Sequence, residues 1–304
     1  NSNLLWKKNY YLKKEQKKNP ILFFANNQKY LIIADTIAKF YVIDINTGEL
    51  LWSKTNSAPF NSQIKIYNDK FFVIDYSNTL KGYFIANGEE ALSIKTQNSL
   101  IRSQKKLSMV IVDQNIYFNN SLGDISSINI ESEELIWQSP TRNNLIINDS
   151  FFLKTSNIVA DNDNLYFSNN KNQFFSIDQQ TGNTNWLQEI SSDLSPVIVN
   201  DLIFTVTLKG YLTIVDKNNG NIIRVNDIFK GIKINKKDNV KPTGFIVGKN
   251  SFFITTSNGR LLEVDIKSGQ TKSITKIDNS IIYRPSILNK SMFIITDNSI
   301  IKLK

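Results

Sequence analysis

Short runs of alternating apolar and polar residues recur along the whole chain, and each run is followed by a turn and a fixed phrase. The clearest copy, residues 41–52, reads Tyr-Val-Ile-Asp-Ile-Asn-Thr-Gly-Glu-Leu-Leu-Trp, and it returns at residues 175–186 as Phe-Ser-Ile-Asp-Gln-Gln-Thr-Gly-Asn-Thr-Asn-Trp. Weaker or degenerate copies occupy residues 84–88, 128–137, 214–220 and 264–269. Since alternation with a period of two is typical of half-buried strands, the pattern predicts strands and tight turns.

The final Trp position of the phrase measures the spacing of the repeat. It falls on Trp6, Trp52, Leu92, Trp137, Trp186, Arg224 and Ser273. The mean spacing is about 45 residues, which is typical of the four-stranded blades of β-propellers. The sequence therefore predicts a single all-β domain over residues 1–304. We expect a closed β-propeller of four-stranded antiparallel blades, with seven blades as the first interpretation and eight as the alternative.

The two ends of the sequence complement each other. The last strand-like run, residues 299–304, stops before its own copy of the phrase, whereas the chain opens with Asn3-Leu4-Leu5-Trp6. We therefore expect the N-terminal strand to complete the last blade, because sharing one sheet would remove an open strand edge.

The recurring residues of the phrase have structural roles that follow from their chemistry. Glycine adopts the positive φ of a tight turn at low cost, and an aspartate before the turn accepts backbone N–H groups across it. Tryptophan buries a large area where it lies across a neighbouring blade. We assign this structural docking role to Trp6, Asp44, Gly48, Trp52, Trp137, Asp178, Gly182 and Trp186.

Composition excludes several classes of chemistry. The chain has no Cys and no His, which rules out disulfides, Cys-ligated zinc and Ser/His/Asp or Cys/His catalysis. The net charge of +9 comes mostly from scattered lysines, so the charge does not indicate a nucleic-acid partner. Lys13–Lys18 is one basic cluster, and the basic loop 230–241 either faces anionic lipid headgroups or is simply solvated. We predict no metal and no cofactor.

The phrase at residues 44–52 and 178–186 resembles the repeat of the PQQ-like propeller family, and the resemblance covers nearly the whole chain. One branch of that family contains quinone-dependent dehydrogenases, and another contains non-enzymatic lipoproteins of the outer-membrane β-barrel assembly machinery. The order of the last repeats, with Pro196 and with Arg284-Pro285, is similar to the second branch, although that branch usually has eight blades.

This resemblance implies a non-catalytic, monomeric protein-binding scaffold at the periplasmic face of the outer membrane of a Gram-negative bacterium. It also implies that a trimmed N-terminal lipid anchor provides the only attachment to the membrane. A PQQ-dependent dehydrogenase, or another ligand-binding periplasmic propeller, is the alternative.

In the scaffold branch, two adjacent loops between blades bind a periplasmic domain of the barrel-forming partner. Leu100, Ile101 and Arg102 are similar to the first of these loops, and Asp149 lies where the second is expected, although the family's aspartate pair is not reproduced. An exposed Arg beside apolar residues fits a small interface anchor. The alternative is that Leu100 and Ile101 pack beneath the loop while Arg102 is solvated. The apolar segment 149–153 is either a second anchor or a strand of its blade.

Overall fold

The chain folds almost wholly into antiparallel strands in the computed structural model, which describes residues 4–97, 103, 105–141, 153–230 and 240–303. The described strands form seven sheets, and six of these contain four strands in chain order. One short helix, α1 (Lys13–Gln16), precedes the first sheet. The predicted fold class, an all-β propeller with seven blades, is confirmed. None of the described helical segments has the length and apolarity needed to cross a bilayer.

The chain divides into two compact units, Asn1–Lys154 and Thr155–Lys304. The first unit contains sheets 1 to 3. Sheet 1 consists of β1 (Leu22–Asn26), β2 (Tyr30–Asp35), β3 (Lys39–Asp44) and β4 (Leu50–Thr55). Sheet 2 consists of β5 (Lys65–Tyr67), β6 (Lys70–Ile74), β7 (Thr79–Phe84) and β8 (Glu90–Lys95). Sheet 3 consists of β9 (Met109–Val112), β10 (Asn115–Asn119), β11 (Ile125–Asn129) and β12 (Leu135–Ser139).

The second unit contains sheets 4 to 7. Sheet 4 consists of β13 (Val159–Ala160), β14 (Asn164–Asn169), β15 (Gln173–Asp178) and β16 (Thr184–Gln188). Sheet 5 consists of β17 (Val197–Val199), β18 (Leu202–Val206), β19 (Tyr211–Asp216) and β20 (Ile222–Asp227). Sheet 6 consists of β21 (Pro242–Val247), β22 (Ser251–Thr256), β23 (Arg260–Asp265) and β24 (Thr271–Lys276). Sheet 7 consists of β25 (Ser286–Leu288), β26 (Ser291–Ile295) and β27 (Ile300–Leu303).

The core lies between the faces of successive sheets. Ile32 and Val42 on the middle strands of sheet 1 share a buried cluster with Phe71 and Val73 of sheet 2. The middle strands are covered on both faces, which explains why they read as continuous apolar runs, such as β2 with its Leu-Ile-Ile-Ala. The fourth strand β4 is largely exposed, so this edge of sheet 1 faces solvent.

A β-bulge recurs at the same place in each four-stranded sheet. In sheet 1, Val42 pairs with Trp52 but Ile43 pairs with Leu50, so that Leu51 is the extra residue. The other five four-stranded sheets shift their register between their third and fourth strands two residues before the end of the third. Because a bulge re-aims the side chains that follow it, this position sets the direction of the Trp side chain at the end of the phrase.

The last sheet differs from the expectation. Sheet 7 has three strands among the described residues, and Leu4–Leu12 form no strand, so the fourth strand predicted from the N-terminus is not found in the part of the chain that the structure describes. The N-terminal segment is held by side chains instead. The Trp6 indole Nε1 donates a hydrogen bond to the Ile45 carbonyl at 2.9 Å, and Trp6, Tyr10 and Tyr11 pack on sheet 1.

Candidate functional site

Each docking phrase forms a closed turn around its aspartate. Asp44 Oδ1 accepts the backbone N–H groups of Asn46 and Thr47, both at 2.9 Å, while the Gly48 N–H donates to the Asp44 carbonyl. The N–H groups of Thr47 and Asn46 lower the pKa of the Asp44 carboxyl. Asp178 accepts the equivalent N–H groups of Gln180 and Thr181, and the Thr181 N–H and hydroxyl lower its pKa. The negative charge of these residues therefore stabilises the turns.

The Trp of one repeat binds the turn of the next repeat. Trp52 Nε1 donates to the Ile85 carbonyl at 2.8 Å, and Trp186 Nε1 donates to the Lys217 carbonyl at 2.9 Å. Trp6 makes the equivalent bond to Ile45, so it occupies the position that a fourth-strand Trp occupies elsewhere in the fold. Trp137 lies 5.9 Å from the Tyr117 ring. The bonds of Trp52 and Trp186 join neighbouring sheets, whereas Trp137 and Tyr117 belong to the same sheet.

Arginine replaces tryptophan in sheet 5. The guanidinium of Arg224 donates to the carbonyl oxygens of Ile266 at 2.7 Å and of Lys267. A planar guanidinium reaches two adjacent carbonyls where an indole reaches one, so the docking function survives the substitution. Leu92 and Ser273 are the other departures in four-stranded sheets, and the Leu92 side chain is buried with Ile130 in an apolar cluster.

The residues predicted to bind a partner fall in two segments that connect successive sheets. The first link joins β8 to β9, and the second link joins β12 to β13. Leu100, Ile101, Arg102 and Asp149 all lie outside the described residues, as does most of the basic loop 230–241. The structure does describe where the two links begin and end, and this fixes the position of their roots.

The first link is rooted on a buried asparagine that sequence reasoning missed. Asn78, in the β6–β7 turn, is fully buried and adopts a φ of 58°. Its carbonyl accepts the Thr96 N–H at 3.1 Å, and its amide Nδ2 donates to the Gln97 carbonyl at 3.3 Å. After the candidate residues, the chain is held again where Asn61 Nδ2 donates to the Ser103 carbonyl at 3.0 Å. Residues 98–102 therefore connect two fixed points.

The second link is rooted on the adjoining turn. The hydroxyl of Thr141 donates to the Gly123 carbonyl at 2.8 Å, and the Leu153 side chain lies against Gly123, within 2.6 Å of where a Cβ would stand. Gly123 belongs to the β10–β11 turn. In the same turn, Ser121 donates to Asn78 Oδ1 through its N–H at 2.9 Å and through its hydroxyl at 2.7 Å. The first link therefore starts at the β6–β7 turn, the second link is held at the β10–β11 turn, and these two turns are hydrogen-bonded to each other.

The only signal for Asn78 in the sequence is the turn phrase Asp75-Tyr-Ser-Asn78. Asp75 Oδ1 accepts the N–H groups of Ser77 and Thr79, and Asp35 makes the same kind of turn in sheet 1. The pattern predicts a turn, but nothing in it reveals that the amide reaches a neighbouring sheet.

The described residues include a groove beside the N-terminal segment. Among them, no group of three or more Asp or Glu side chains is arranged to hold a metal ion. A groove of about 580 Å³ lies between the N-terminal segment and sheet 1, and it is lined largely by aromatic and aliphatic side chains such as Tyr10, Leu22, Phe24 and Ile33. Tyr11, which lines the groove, donates its hydroxyl to Asp35, which is fully buried.

Comparisons with known proteins agree with this architecture. The family model described as outer membrane protein assembly factor BamB matches residues 2–226. The curated BamB of Legionella pneumophila (strain Paris) is 22% identical over 160 residues, which cover 51% of this chain and 36% of that protein. The match thus spans about a third of the length of that relative.

Solved structures show the same fold. The crystal structure of BamB from Moraxella catarrhalis superposes with a TM-score of 0.76 at 16% identity, over 92% of this chain and 83% of that chain. The computationally designed protein Ika8 superposes with a TM-score of 0.56 at 12% identity, over 90% and 93% of the two chains. With the family model matching most of its length and the docking phrases in place, the chain belongs to the BamB family of PQQ-like repeat propellers.

Proposed function

We propose that this protein is a non-catalytic, monomeric scaffold of the outer-membrane β-barrel assembly machinery that acts by binding another protein. The family match and the name of the Legionella relative support this role. The proposed partner is a periplasmic domain of an outer-membrane barrel-assembly protein (BamA-like). The proposed location is the periplasmic face of the outer membrane, with residues 1–304 acting as one domain.

The observation that carries the proposal is the hydrogen bonding between Ser121 and Asn78. It joins the turn that roots the first link to the turn that roots the second. The described residues that flank the two links, Gln97 and Ser103 on the first and Thr141 and Leu153 on the second, are held within one unit, which supports a single interface for Leu100, Ile101, Arg102 and Asp149. A partner domain could contact both links at once without a large rearrangement of the sheets beneath them.

The chemistry of the two links suits a small interface. In the proposal, Arg102 binds a carboxylate of the partner through two parallel N–H bonds, and Leu100 and Ile101 exclude water around this pair. Asp149 supplies a negative group for a basic residue of the partner. Because the turns beneath the links are held together by the bonds between Ser121 and Asn78, less conformational entropy is lost when the partner binds.

Reversal of one charge tests the site. Arg102→Glu should weaken binding to the purified periplasmic domain at least about ten-fold, as expected for the loss of an interface anchor. Lys54→Glu, which reverses an exposed charge on β4, should bind like the wild type. Both variants should unfold at the same denaturant concentration as the wild type. Wild-type affinity of Arg102→Glu would remove the assignment of this residue.

A separate assay tests the non-catalytic part of the proposal. The purified protein is incubated with pyrroloquinoline quinone and Ca²⁺, and the absorption of the bound quinone is followed after gel filtration. We expect no chromophore to co-elute with the protein. Stoichiometric co-elution, together with dye reduction in the presence of alcohols, would favour the dehydrogenase alternative instead.

A further inference from the structure

The N-terminal segment, residues 4–24, combines a high positive charge with protruding apolar side chains. Its six lysines are all exposed: Lys7, Lys8, Lys13, Lys14, Lys17 and Lys18. Five large apolar side chains are between 57% and 81% exposed: Leu4, Leu5, Leu12, Ile21 and Phe24. Single exposed apolar residues are ordinary, but five within about twenty residues indicate an interaction surface.

The acidic side chain of this segment does not neutralise its lysines. Glu15 is the one acidic residue between Leu4 and Phe24. Its carboxylate accepts the Leu12 N–H at 2.7 Å and pairs with Lys39 of sheet 1 at 3.3 Å. The Leu12 N–H is the main cause of its lowered pKa, so Glu15 remains ionised and engaged with these groups. With six lysines against one glutamate, the segment therefore keeps a strong net positive charge.

The segment is nevertheless fixed in place on sheet 1. Trp6 Nε1 bonds to the Ile45 carbonyl, the Tyr10 hydroxyl donates to the Gly48 carbonyl, and the Tyr11 hydroxyl donates to Asp35. Lys39 Nζ adds a bond to the Tyr10 carbonyl at 3.0 Å. The lysines and the exposed leucines are thus presented by a held framework, which lowers the entropic cost of binding at a surface.

We propose that residues 4–24 bind directly to a bilayer surface that contains anionic phospholipids. Lysines around protruding Leu and Ile side chains are the pattern of an interfacial membrane contact, in which apolar side chains enter the headgroup boundary and ammonium groups meet lipid phosphates. A protein partner is disfavoured, because hot-spot anchors of protein interfaces sit in well-packed pockets, whereas these side chains stand out into solvent. The proposal adds a lipid contact made by the chain itself and does not depend on the scaffold function.

Vesicle co-sedimentation tests this proposal. The full chain is mixed with phosphatidylcholine vesicles and with vesicles that also contain phosphatidylglycerol. We expect binding only to the second kind, and we expect it to fall as salt is raised. The double variant Lys13→Glu/Lys17→Glu should bind at least about twenty-five-fold more weakly, since each lysine near an anionic surface contributes about five-fold. Leu4→Ser/Leu5→Ser should also weaken binding several-fold.

Matched controls separate a specific contact from general charge. Leu50→Ser/Leu51→Ser changes two exposed leucines of β4, and Lys249→Glu changes an exposed lysine of the β21–β22 turn; both should bind like the wild type. The proposal is overturned if the wild type does not bind anionic vesicles, or if the control variants weaken binding as much as the test variants. It is also overturned if the leucine variant at residues 4 and 5 binds normally, because adsorption by charge alone needs no inserted side chain.

Discussion

The indole ring of Trp52 lies flat against the α-carbon of Gly88, where a Cβ would stand only 2.6 Å from the ring. Trp6 with Gly48 and Trp186 with Gly220 repeat this relationship. Glycine is required at these positions for two reasons: the backbone has a positive φ, and a side chain would occupy the space of the indole ring. In sheet 3 the equivalent turn carries Glu133 at a φ of 60°. The residue at the Trp position of the preceding sheet, sheet 2, is Leu92. The ring and the missing Cβ occur together at these three turns, whereas the Gly269 turn faces Asn226 and is docked by Arg224.

A double-mutant cycle on Trp52 and Gly88 tests this coupling. Gly88→Ala should lower the free energy of unfolding by about 2 kcal/mol or more, because the methyl group meets the ring and the backbone is in the left-handed region. In a Trp52→Leu background, the same Ala should cost only the backbone strain, about 1 kcal/mol. Urea denaturation of the four proteins gives the coupling energy, expected at about 1 kcal/mol or more. Additive effects would show that the ring does not select the glycine.

The indole N–H of Trp186 contributes beyond the area that the ring buries. Trp186→Phe keeps an aromatic ring but leaves the Lys217 carbonyl without its donor, so it should cost about 1 to 2 kcal/mol. Trp186→Ala removes the ring as well and should cost about 3 to 5 kcal/mol. Equilibrium denaturation measures both values. Equal stability of Trp186→Phe and the wild type would show that the hydrogen bond makes no net contribution.

We expect the contribution of Arg224 to stability to depend on the shape of its guanidinium group and not on its positive charge alone. Arg224→Lys cannot bridge the carbonyls of Ile266 and Lys267 with the same geometry and should lower the unfolding free energy by about 1 to 3 kcal/mol. Arg260→Lys is a matched control, because the substitution is the same and Arg260 is also half-buried. The prediction is wrong if the two substitutions have the same effect on the denaturation midpoint.

Asn78 should connect stability with partner binding. Asn78→Gly keeps the left-handed backbone but removes the acceptor for Ser121 and the donor to Gln97, so we expect a loss of about 1 to 3 kcal/mol in stability. Since the first link is rooted there, binding of the partner domain should also weaken. Asn200→Gly, at a similar φ of 53° in the β17–β18 turn, should leave binding unchanged. If Asn78→Gly binds the partner domain like the wild type, the turn that contains Asn78 does not position the interface.

The lowered pKa values of the turn aspartates predict that the protein loses stability in acid. The folded-state pKa of Asp178 is lowered by the Thr181 N–H and hydroxyl and by the Gln180 N–H. Its contribution is therefore present above the unfolded pKa of about 3.9 and is lost as the pH falls through the lower folded value. Asp178→Asn keeps an oxygen acceptor without a titrating charge. Its midpoint for denaturation should fall less steeply than that of the wild type between about pH 5 and pH 3. Parallel pH profiles would contradict this assignment.

The sequence predicts the sheets well because their cause is local and repeated. The strand alternation, the Asp turn and the Gly at residues 41–52 recur every forty or so residues, and each copy needs only its neighbours to fold. Trp6 packs against sheet 1 without any strand described around it. Side-chain docking requires one good contact, whereas a strand requires a continuous ladder of backbone bonds.

The candidate site was only partly predictable, for a physical reason. Asn78 acts through an amide that bonds to Ser121, forty-three positions further along the chain, and such a contact leaves no local pattern. The sequence alone does not distinguish Lys13–Lys18 from an ordinary solvated run. The exposure of Leu12 and Ile21 beside it is visible only in the folded segment. Arg102 and Asp149 stay predictions.

The most direct test of the scaffold account is a calorimetric titration of the full wild-type chain with the purified periplasmic domain of the barrel-assembly protein. The account predicts saturable binding with one partner domain per chain and a heat that disappears when Arg102 is replaced by Glu. Absence of any binding heat across several temperatures, with both proteins folded, would contradict the central claim that this propeller functions by holding that partner.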